Sequence, residues 1–224
     1  MLIKLEDIHK DYMLGKVKIQ ALRGVSLQIN TGEMLCFMGS SGCGKSTLLN
    51  IIGGIDGATS GKVWYKDQEL NRLNDKRLSR WRNQHLGFIF QNFNLVPVLS
   101  AYENVEQPLL LGKFSRNERK ERVLAMLELV GMSEHIQHRP DQLSGGQRQR
   151  VAIARALVTQ PEMVLADEPT ASLDSTTGQQ VLELMQKINE TLSTTFVFST
   201  HDYQVTEYAK RIVRISDGLI EGAA

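Results

Sequence analysis

The sequence has little cysteine, little net charge and no long hydrophobic run. Its two cysteines, Cys36 and Cys43, fit a reducing compartment. No apolar run approaches the roughly 18–20 residues that cross a bilayer, and the N-terminus does not read as a signal peptide. A net charge of +1 gives no bulk attraction for nucleic acid or a membrane surface. We therefore expect a soluble, cytoplasmic protein without a nucleic-acid partner, and 224 residues suffice for a sizeable core.

One glycine-rich stretch has the spacing G-x-x-x-x-G-K-S of a phosphate-binding loop. It consists of Gly39, Ser40, Ser41, Gly42, Cys43, Gly44, Lys45, Ser46 and Thr47. A short apolar run at 34–38 precedes it as a predicted buried strand, and an apolar, helix-compatible run follows it. The glycines let backbone N–H groups point at an anion, and the helix adds its positive end. The motif predicts that Lys45 reaches the β- and γ-phosphates of a nucleotide and that Ser46 binds Mg²⁺.

The N-terminal 30 residues alternate apolar and polar side chains, which predicts half-buried antiparallel strands with a loop at Met13–Lys18. Tyr12 ends the first of these strands. The residue is either an ordinary sheet aromatic or a ring that stacks on adenine. The alternation alone does not decide between the two.

A strongly apolar strand at 86–90 runs directly into Gln91. A polar amide at the end of a core strand is typical of a ligand-facing residue. The following segment, Asn92–Ser100, is apolar and irregular. Residues 101–140 are predicted to be helical, with main segments at Ala101–Leu111 and Glu118–Val130 and a capping box from Ser115 to Glu118.

A second glycine pair opens a predicted helix at Arg148–Val158. Ser144, Gly145, Gly146 and Gln147 precede it. Alone, this sequence could be a helix cap or a second anion cradle. The neighbouring motifs favour the anion cradle over the helix cap.

Two carboxylates, Asp167 and Glu168, follow a short buried strand at 163–166. Such a pair after a phosphate loop suits nucleotide hydrolysis: the first carboxylate holds Mg²⁺, and the second orients or deprotonates the attacking water. A turn ending at Asp174 leads into a helix at Thr177–Thr191. The last core strand, Thr195–Thr200, leads to His201, which we expect near the γ-phosphate. A C-terminal hairpin turns at Asp217-Gly218.

In this order the motifs resemble those of the ATP-binding cassette (ABC) ATPases over nearly the whole chain. The resemblance identifies a Walker A loop at 39–47, a glutamine loop at Gln91, a signature at Leu143–Gln147, a Walker B strand ending at Asp167 and a D-loop at Ala171–Asp174. It also implies that His201 is the switch histidine and that Tyr12 is the A-loop aromatic. Phrases such as Phe88–Pro97 and Asp167–Thr170 are similar to the MacB and LolD group. Ala171 and Gly57-Ala58 depart from the usual sequence of that group.

The resemblance implies an α/β fold of the ABC-type P-loop ATPases. It has a mixed core sheet, N-terminal antiparallel strands and an inserted helical subdomain. We expect one nucleotide-binding domain, with residues 1–91 and 141–224 as the core and about 92–140 as the helical subdomain. Catalysis is expected from Glu168, His201 and Lys45, and Mg²⁺ binding from Ser46, Gln91 and Asp167. ATP contacts are expected from Tyr12, residues 39–47, Gln91, residues 144–147 and Asp174.

The resemblance also implies partners. Two chains would pack head to tail, with each signature capping the other chain's ATP, and a separate membrane permease would hold the pair at the inner face of the cell membrane. Phe93, Leu95, Val98, Leu99 and Tyr102 are expected to line a groove for a permease helix, unless they pack the subdomain instead. A soluble ABC protein that regulates another complex is the alternative. A regulatory protein without turnover would be expected to lose Lys45 or Glu168, and both are present.

Overall fold

The computed structural model describes residues 1–221, which form two units. The terminal unit consists of Met1–Arg82 and the segment from Thr195 onward, and the middle unit is Asn83–Thr194. The elements in chain order are β1 (Ile3–Leu14), β2 (Val17–Ile29), β3 (Met34–Met38), α1 (Lys45–Ile52), β4 (Ser60–Tyr65), β5 (Gln68–Glu69), α2 (Asp75–His85), β6 (Leu86–Ile89), α3 (Ala101–Leu110), α4 (Arg116–Leu129), α5 (Gly145–Leu157), β7 (Met163–Asp167), α6 (Ser175–Leu192), β8 (Thr195–Thr200), α7 (Tyr203–Thr206), β9 (Arg211–Ser216) and β10 (Leu219–Ile220).

The terminal unit contains an antiparallel sheet with the strand order β2-β1-β4-β5. The predicted antiparallel pairing of β1 with β2 is confirmed, and Leu5 lies opposite Leu27. The predicted loop at Met13–Lys18 is wrong. Both strands continue to a two-residue turn at 15–16, where Gly15 has a φ of +61°. A tight turn of this kind lets β1 and β2 stay paired beyond the core. The strand residues next to the turn are exposed, so no buried face dictates an apolar–polar alternation in their sequence.

A second sheet of the terminal unit carries β3 between β8 and β9, parallel to both, with β10 antiparallel to β9. Every side chain of β3 and β8 is buried, as expected for parallel strands that are covered on both faces. The predicted C-terminal hairpin is confirmed. The short helix α7 was not predicted from the sequence.

The middle unit contains the parallel pair β6 and β7, with α3, α4 and α5 packed against one another. The capping box predicted at Ser115 is present, because the Ser115 side chain accepts from Glu118 N–H and the Glu118 side chain accepts from Ser115 N–H. After α4 the chain forms two 3₁₀ turns, Ser133–His135 and Pro140–Gln142, instead of further α-helix. Within residues 1–221 no helix is long and apolar enough to cross a bilayer.

Candidate functional site

The glycine-rich loop at 39–47 joins β3 to α1 in the terminal unit. Gly42 and Gly44 have positive φ angles of 79° and 109°, and Gly44 caps α1, whose first residue is Lys45. The Lys45 side chain is buried at 6% exposure, and its Nζ donates to the carbonyl oxygens of Gly39 at 2.8 Å and Ser40 at 2.9 Å. The loop therefore closes around its own ammonium group, at the N-terminus of a helix.

The glycines of this loop are needed for close approach as well as for backbone angles. A Cβ on Gly39 would collide with the Ile215 carbonyl, and a Cβ on Gly44 would lie 2.6 Å from the Ala21 carbonyl. Gly218, in the turn of the C-terminal hairpin, donates from its N–H to the Cys43 carbonyl at 3.0 Å. The loop is thus fixed by backbone contacts from β2 and from the β9–β10 hairpin.

Tyr12 lies near the tip of β1 with 39% of its surface exposed, so it is not a core aromatic. Its hydroxyl donates to Asp56 Oδ2 at 2.7 Å, and the Thr47 side chain in the first turn of α1 forms a further hydrogen bond with it. The structure therefore brings Tyr12 to the phosphate loop. Burial and the hydrogen bond to Asp56 raise the pKa of Tyr12, so its hydroxyl keeps its proton at neutral pH.

His201 follows β8 and is exposed. The parallel register pairs Met38, the last residue of β3, with Thr200, the last residue of β8. Because Gly39 and His201 follow these two residues, the loop and the histidine leave the sheet at the same end of neighbouring strands. The terminal unit thus collects Tyr12, the phosphate loop and His201.

In the middle unit the other predicted residues also lie at strand ends. Ile89 of β6 pairs with Ala166 of β7, so Gln91 and Asp167 follow at the same end of this pair. The Ser172 hydroxyl donates to the Gln91 carbonyl at 3.1 Å, which ties the glutamine loop to the D-loop. Glu168 is half-buried and has a φ of +48°, an uncommon backbone conformation for glutamate. Such strain is typical of functional positions.

The glycine pair at 145–146 begins α5, three residues before the predicted start at Arg148. Ser144 is its N-cap: Ser144 Oγ accepts from Gln147 N–H at 3.3 Å, and Gln147 Oε1 accepts from Ser144 N–H at 2.8 Å. The helix-cap alternative is therefore confirmed, while anion binding stays a prediction. A Cβ on Gly146 would collide with Thr177, so this glycine also lets α6 approach.

Sequence reasoning missed two residues of α5 that hold the neighbouring loops. Gln149 is fully buried, and its Nε2 donates to the Pro169 carbonyl, just after Glu168, at 2.7 Å. Arg155 donates to the carbonyls of Phe93 and Asn94, just after Gln91. The only signal in the sequence was the presence of polar residues at core positions of an otherwise apolar helix.

Asp174 is the N-cap of α6, where its Oδ1 accepts from Thr177 N–H at 3.0 Å. Hydrogen bonds from Thr177 lower the pKa of Asp174, so it is charged at neutral pH. The capping role explains its position at the end of the D-loop, directly before α6. A contact of Asp174 with nucleotide stays a prediction.

The groove expected from Phe93, Leu95, Val98, Leu99 and Tyr102 stays a prediction. Val98 is 71% exposed, and the other four side chains are half-buried. A cavity of about 210 Å³ lies in the middle unit, but apolar Phe88, Phe90 and Pro108 line it with Asn94 and Arg155. Tyr102 lines a separate cleft beside Glu106 and Arg119. Arg155 donates to the Phe93 carbonyl, and Arg148 covers the Phe93 ring at 5.1 Å, so Phe93 already has partners within the middle unit.

The arrangement can bind an anion at the phosphate loop and hold an aromatic ring beside it. It also presents an amide and two carboxylates at one end of the β6–β7 pair. These are the groups that phosphoryl transfer requires: positive charge for phosphates, oxygen ligands for Mg²⁺ and a carboxylate for water.

Comparison with known proteins gives the chain a family context. The sequence profile described as ABC transporter matches residues 22–171. The macrolide export ATP-binding/permease protein MacB of Syntrophobacter fumaroxidans is 47% identical over 98% of the chain, which spans 31% of that protein. The lipoprotein-releasing system ATP-binding protein LolD of Idiomarina loihiensis is 41% identical, with 98% of the chain and 96% of LolD covered.

A solved structure is similar to the whole chain. It is the dimeric structure of a post-hydrolysis state of the ATP-binding cassette MJ0796 of Methanocaldococcus jannaschii, bound to ADP and Pi. The TM-score is 0.90 at 45% identity, covering 98% of the chain and 97% of the solved one. The predicted fold class is therefore confirmed.

Proposed function

Because this chain belongs to the ABC transporter family, as an ATP-binding subunit of the MacB/LolD-like type, we propose that it dimerises on ATP and hydrolyses it to drive a separate membrane permease. The observation that carries the proposal is the position of Lys45. An ammonium group has three donors, and two of them are used by the carbonyls of Gly39 and Ser40. Among residues 1–221, the acceptor seen for the third donor is the weakly accepting sulfur of Cys43, 4.0 Å away, so a phosphate oxygen would be the better acceptor.

The chain also has residues suited to Mg²⁺. Ser46 stands in the first turn of α1, while Gln91 and Asp167 follow the paired strands β6 and β7. Hydroxyl, amide and carboxylate oxygens are the ligands that this ion prefers. We propose that these three residues hold Mg²⁺ with the phosphates, where the bound ion supplies charge neutralisation.

Turnover is assigned to Glu168 and His201. Glu168 would accept the proton of the attacking water or orient that water in line with the γ-phosphate. His201 would hold the γ-phosphate from the end of β8. Lys45 and the loop amides would stabilise the charge that develops on the phosphate oxygens.

The signature residues Ser144, Gly145, Gly146 and Gln147 are assigned to the ATP of a second copy, together with Asp174. Two features support this: the glycine pair at the N-terminus of α5 suits an anion, and the similar cassette MJ0796 was solved as a dimer bound to ADP and Pi. A two-fold pair of this kind is closed and uses the same surface on both chains. ATP would then link the two chains, and hydrolysis would separate them.

We propose that the permease contacts the middle unit at the exposed Val98 and at the cavity that contains Phe88 and Phe90. The relatives MacB, an export ATP-binding/permease protein, and LolD, the ATP-binding protein of a lipoprotein-releasing system, support a permease partner. The chain would then lie on the inner face of the cell membrane, held there by the permease.

The test of this function is Lys45→Ala. Removing the ammonium group should weaken ATP binding by at least about tenfold, because a charged hydrogen bond to phosphate is lost. Equilibrium binding to purified protein measures it, with the exposed Lys76→Ala as the control. Equal ATP affinity in Lys45→Ala and the parent would refute the assignment of the phosphate loop.

A further inference from the structure

Asp56 and Lys10 form a hydrogen-bonded network around Tyr12. We propose that these two are positioning residues, which fix the Tyr12 ring so that a purine base stacks on one defined face. The inference rests on the proposed ATP-binding function and adds to it: affinity for the base, separately from affinity for the phosphates, depends on Asp56 and Lys10.

The two carboxylate oxygens of Asp56 have different partners. Oδ2 accepts from the Tyr12 hydroxyl at 2.7 Å, and Oδ1 accepts from Lys10 Nζ at 2.7 Å. The Gly57 backbone adds two contacts, since its N–H donates to Oδ1 and its carbonyl accepts from Lys10 Nζ, both at 2.7 Å. Asp56 therefore joins β1 to the segment that follows α1.

The network stays charged under ordinary conditions. Burial alone would raise the pKa of Asp56, but the hydrogen bonds from Lys10 and Tyr12 outweigh it and lower that pKa. The Lys10 side chain is only 12% exposed, so solvent screens the ion pair less than it screens a surface pair. The anchor for the Tyr12 hydroxyl is thus a charge-assisted hydrogen bond.

Lys10 also determines which face of the ring is available. Its Nζ lies 4.8 Å from the centroid of the Tyr12 ring, in a cation–π contact. Lys10 thus occupies one face of the ring and leaves the opposite face for a base, and Tyr12 as a whole is 39% exposed. The Thr47 side chain of the phosphate loop interacts with the same hydroxyl and opposes the rise of the Tyr12 pKa.

Fixing the ring before the ligand binds lowers the entropy that binding must remove. A phenylalanine could stack on the base but could not make the hydrogen bonds to Asp56 and Thr47. The hydroxyl is thus the group through which Asp56 positions the ring. It can be deleted while the aromatic face is kept.

The experiment compares two ligands, ATP and inorganic tripolyphosphate, by calorimetry on the parent, Tyr12→Phe and Asp56→Ala. Both variants should bind ATP about three- to tenfold more weakly, the effect of losing one or two anchoring hydrogen bonds. Both should bind tripolyphosphate as the parent does, because the phosphate loop is unchanged. Combining Tyr12→Phe with Asp56→Ala should add little, because both remove the same anchor.

Asp11→Asn is the matched control. Asp11 lies beside Tyr12 on β1 and pairs with Lys18 at 2.9 Å, outside the Asp56 network, so this variant should bind both ligands normally. Equal weakening of ATP and tripolyphosphate would overturn the inference and make Asp56 a support of the loop. Parental ATP affinity in Tyr12→Phe, which removes one oxygen and keeps the fold, would overturn it as well. A parent that binds tripolyphosphate but not ATP would refute the proposed function itself.

Discussion

The candidate residues of the two units are held in place by different kinds of contact. In the terminal unit, the phosphate loop is one contiguous segment whose shape depends on glycine angles and on backbone contacts. In the middle unit, the glutamine loop and the Walker B carboxylates are held by side chains far along the chain, as in the bond from Ser172 to Gln91. The phosphate loop is held by its glycine conformations and by backbone contacts, whereas the loops of the middle unit are held by side-chain hydrogen bonds.

This difference separates two consequences of mutation. Changes in the terminal unit should act first on nucleotide affinity, as expected for Lys45→Ala. Changes in the middle unit should act on turnover, on the partner or on stability, while the phosphate loop stays intact. Three substitutions in the middle unit test this difference.

The largest effect is expected from Glu168→Gln. The amide cannot accept the proton of water, so turnover should fall by about 100-fold or more, while ATP binding is retained. Steady-state hydrolysis and size-exclusion chromatography with ATP measure the two properties, and the variant should accumulate as an ATP-bound dimer. Glu162→Gln, near the other end of β7, should hydrolyse ATP normally. Near-parental turnover in Glu168→Gln would move the catalytic role elsewhere.

A smaller effect, confined to the partner, is expected from Val98→Glu. Val98 is 71% exposed, so the change should leave folding and ATP hydrolysis unaltered. A carboxylate in an apolar contact should weaken the permease complex by about tenfold or more, measured by co-purification with the permease in detergent. Val17→Glu, at a valine of 63% exposure in the terminal unit, is the control. An unchanged complex would exclude Val98 from the contact.

The smallest effect is expected from Gln149→Ala. Loss of its buried bond to Pro169 should lower the free energy of unfolding by about 1–3 kcal/mol. Urea denaturation measures this change. Gln179→Ala on the exposed surface of α6 should change stability by less than about 0.5 kcal/mol. Equal free energies of unfolding in the two variants would show that the hydrogen bond from Gln149 to Pro169 does not stabilise the middle unit.

The same contrast explains how far the sequence could be interpreted. The loop at 39–47 and the buried strands at 34–38 and 163–167 could be predicted, because each depends on a local pattern of glycine or of apolar residues. The hairpin at Gly15 could not, because its strands continue past the core and its apolar side chains are exposed there. An alternation of apolar and polar residues indicates a strand with one buried face, and the strand residues next to this turn are exposed.

The candidate site was predictable in its residues more than in its contacts. Lys45 and Glu168 follow from motifs, but the anchoring of Tyr12 by Asp56 joins positions 44 residues apart. The hydrogen bond from Arg155 to the Phe93 carbonyl joins positions 62 residues apart. Such pairs depend on which elements meet in the fold, and local sequence motifs do not show which elements meet.

The central claim is that each ATP is bound by the phosphate loop of one chain and the signature of another. Mixing Lys45→Ala chains with Ser144→Arg chains tests it most directly, since a mixed dimer then has one site with both lesions and one site with neither. ATP hydrolysis should recover to roughly one quarter of that of the unmutated protein, because half of random dimers are mixed and each has one intact site of two. A second experiment places Ser41→Cys and Gly145→Cys on different chains and looks for a disulfide that forms only with ATP. A mixture as inactive as each single variant, together with no such disulfide, would contradict binding across two chains.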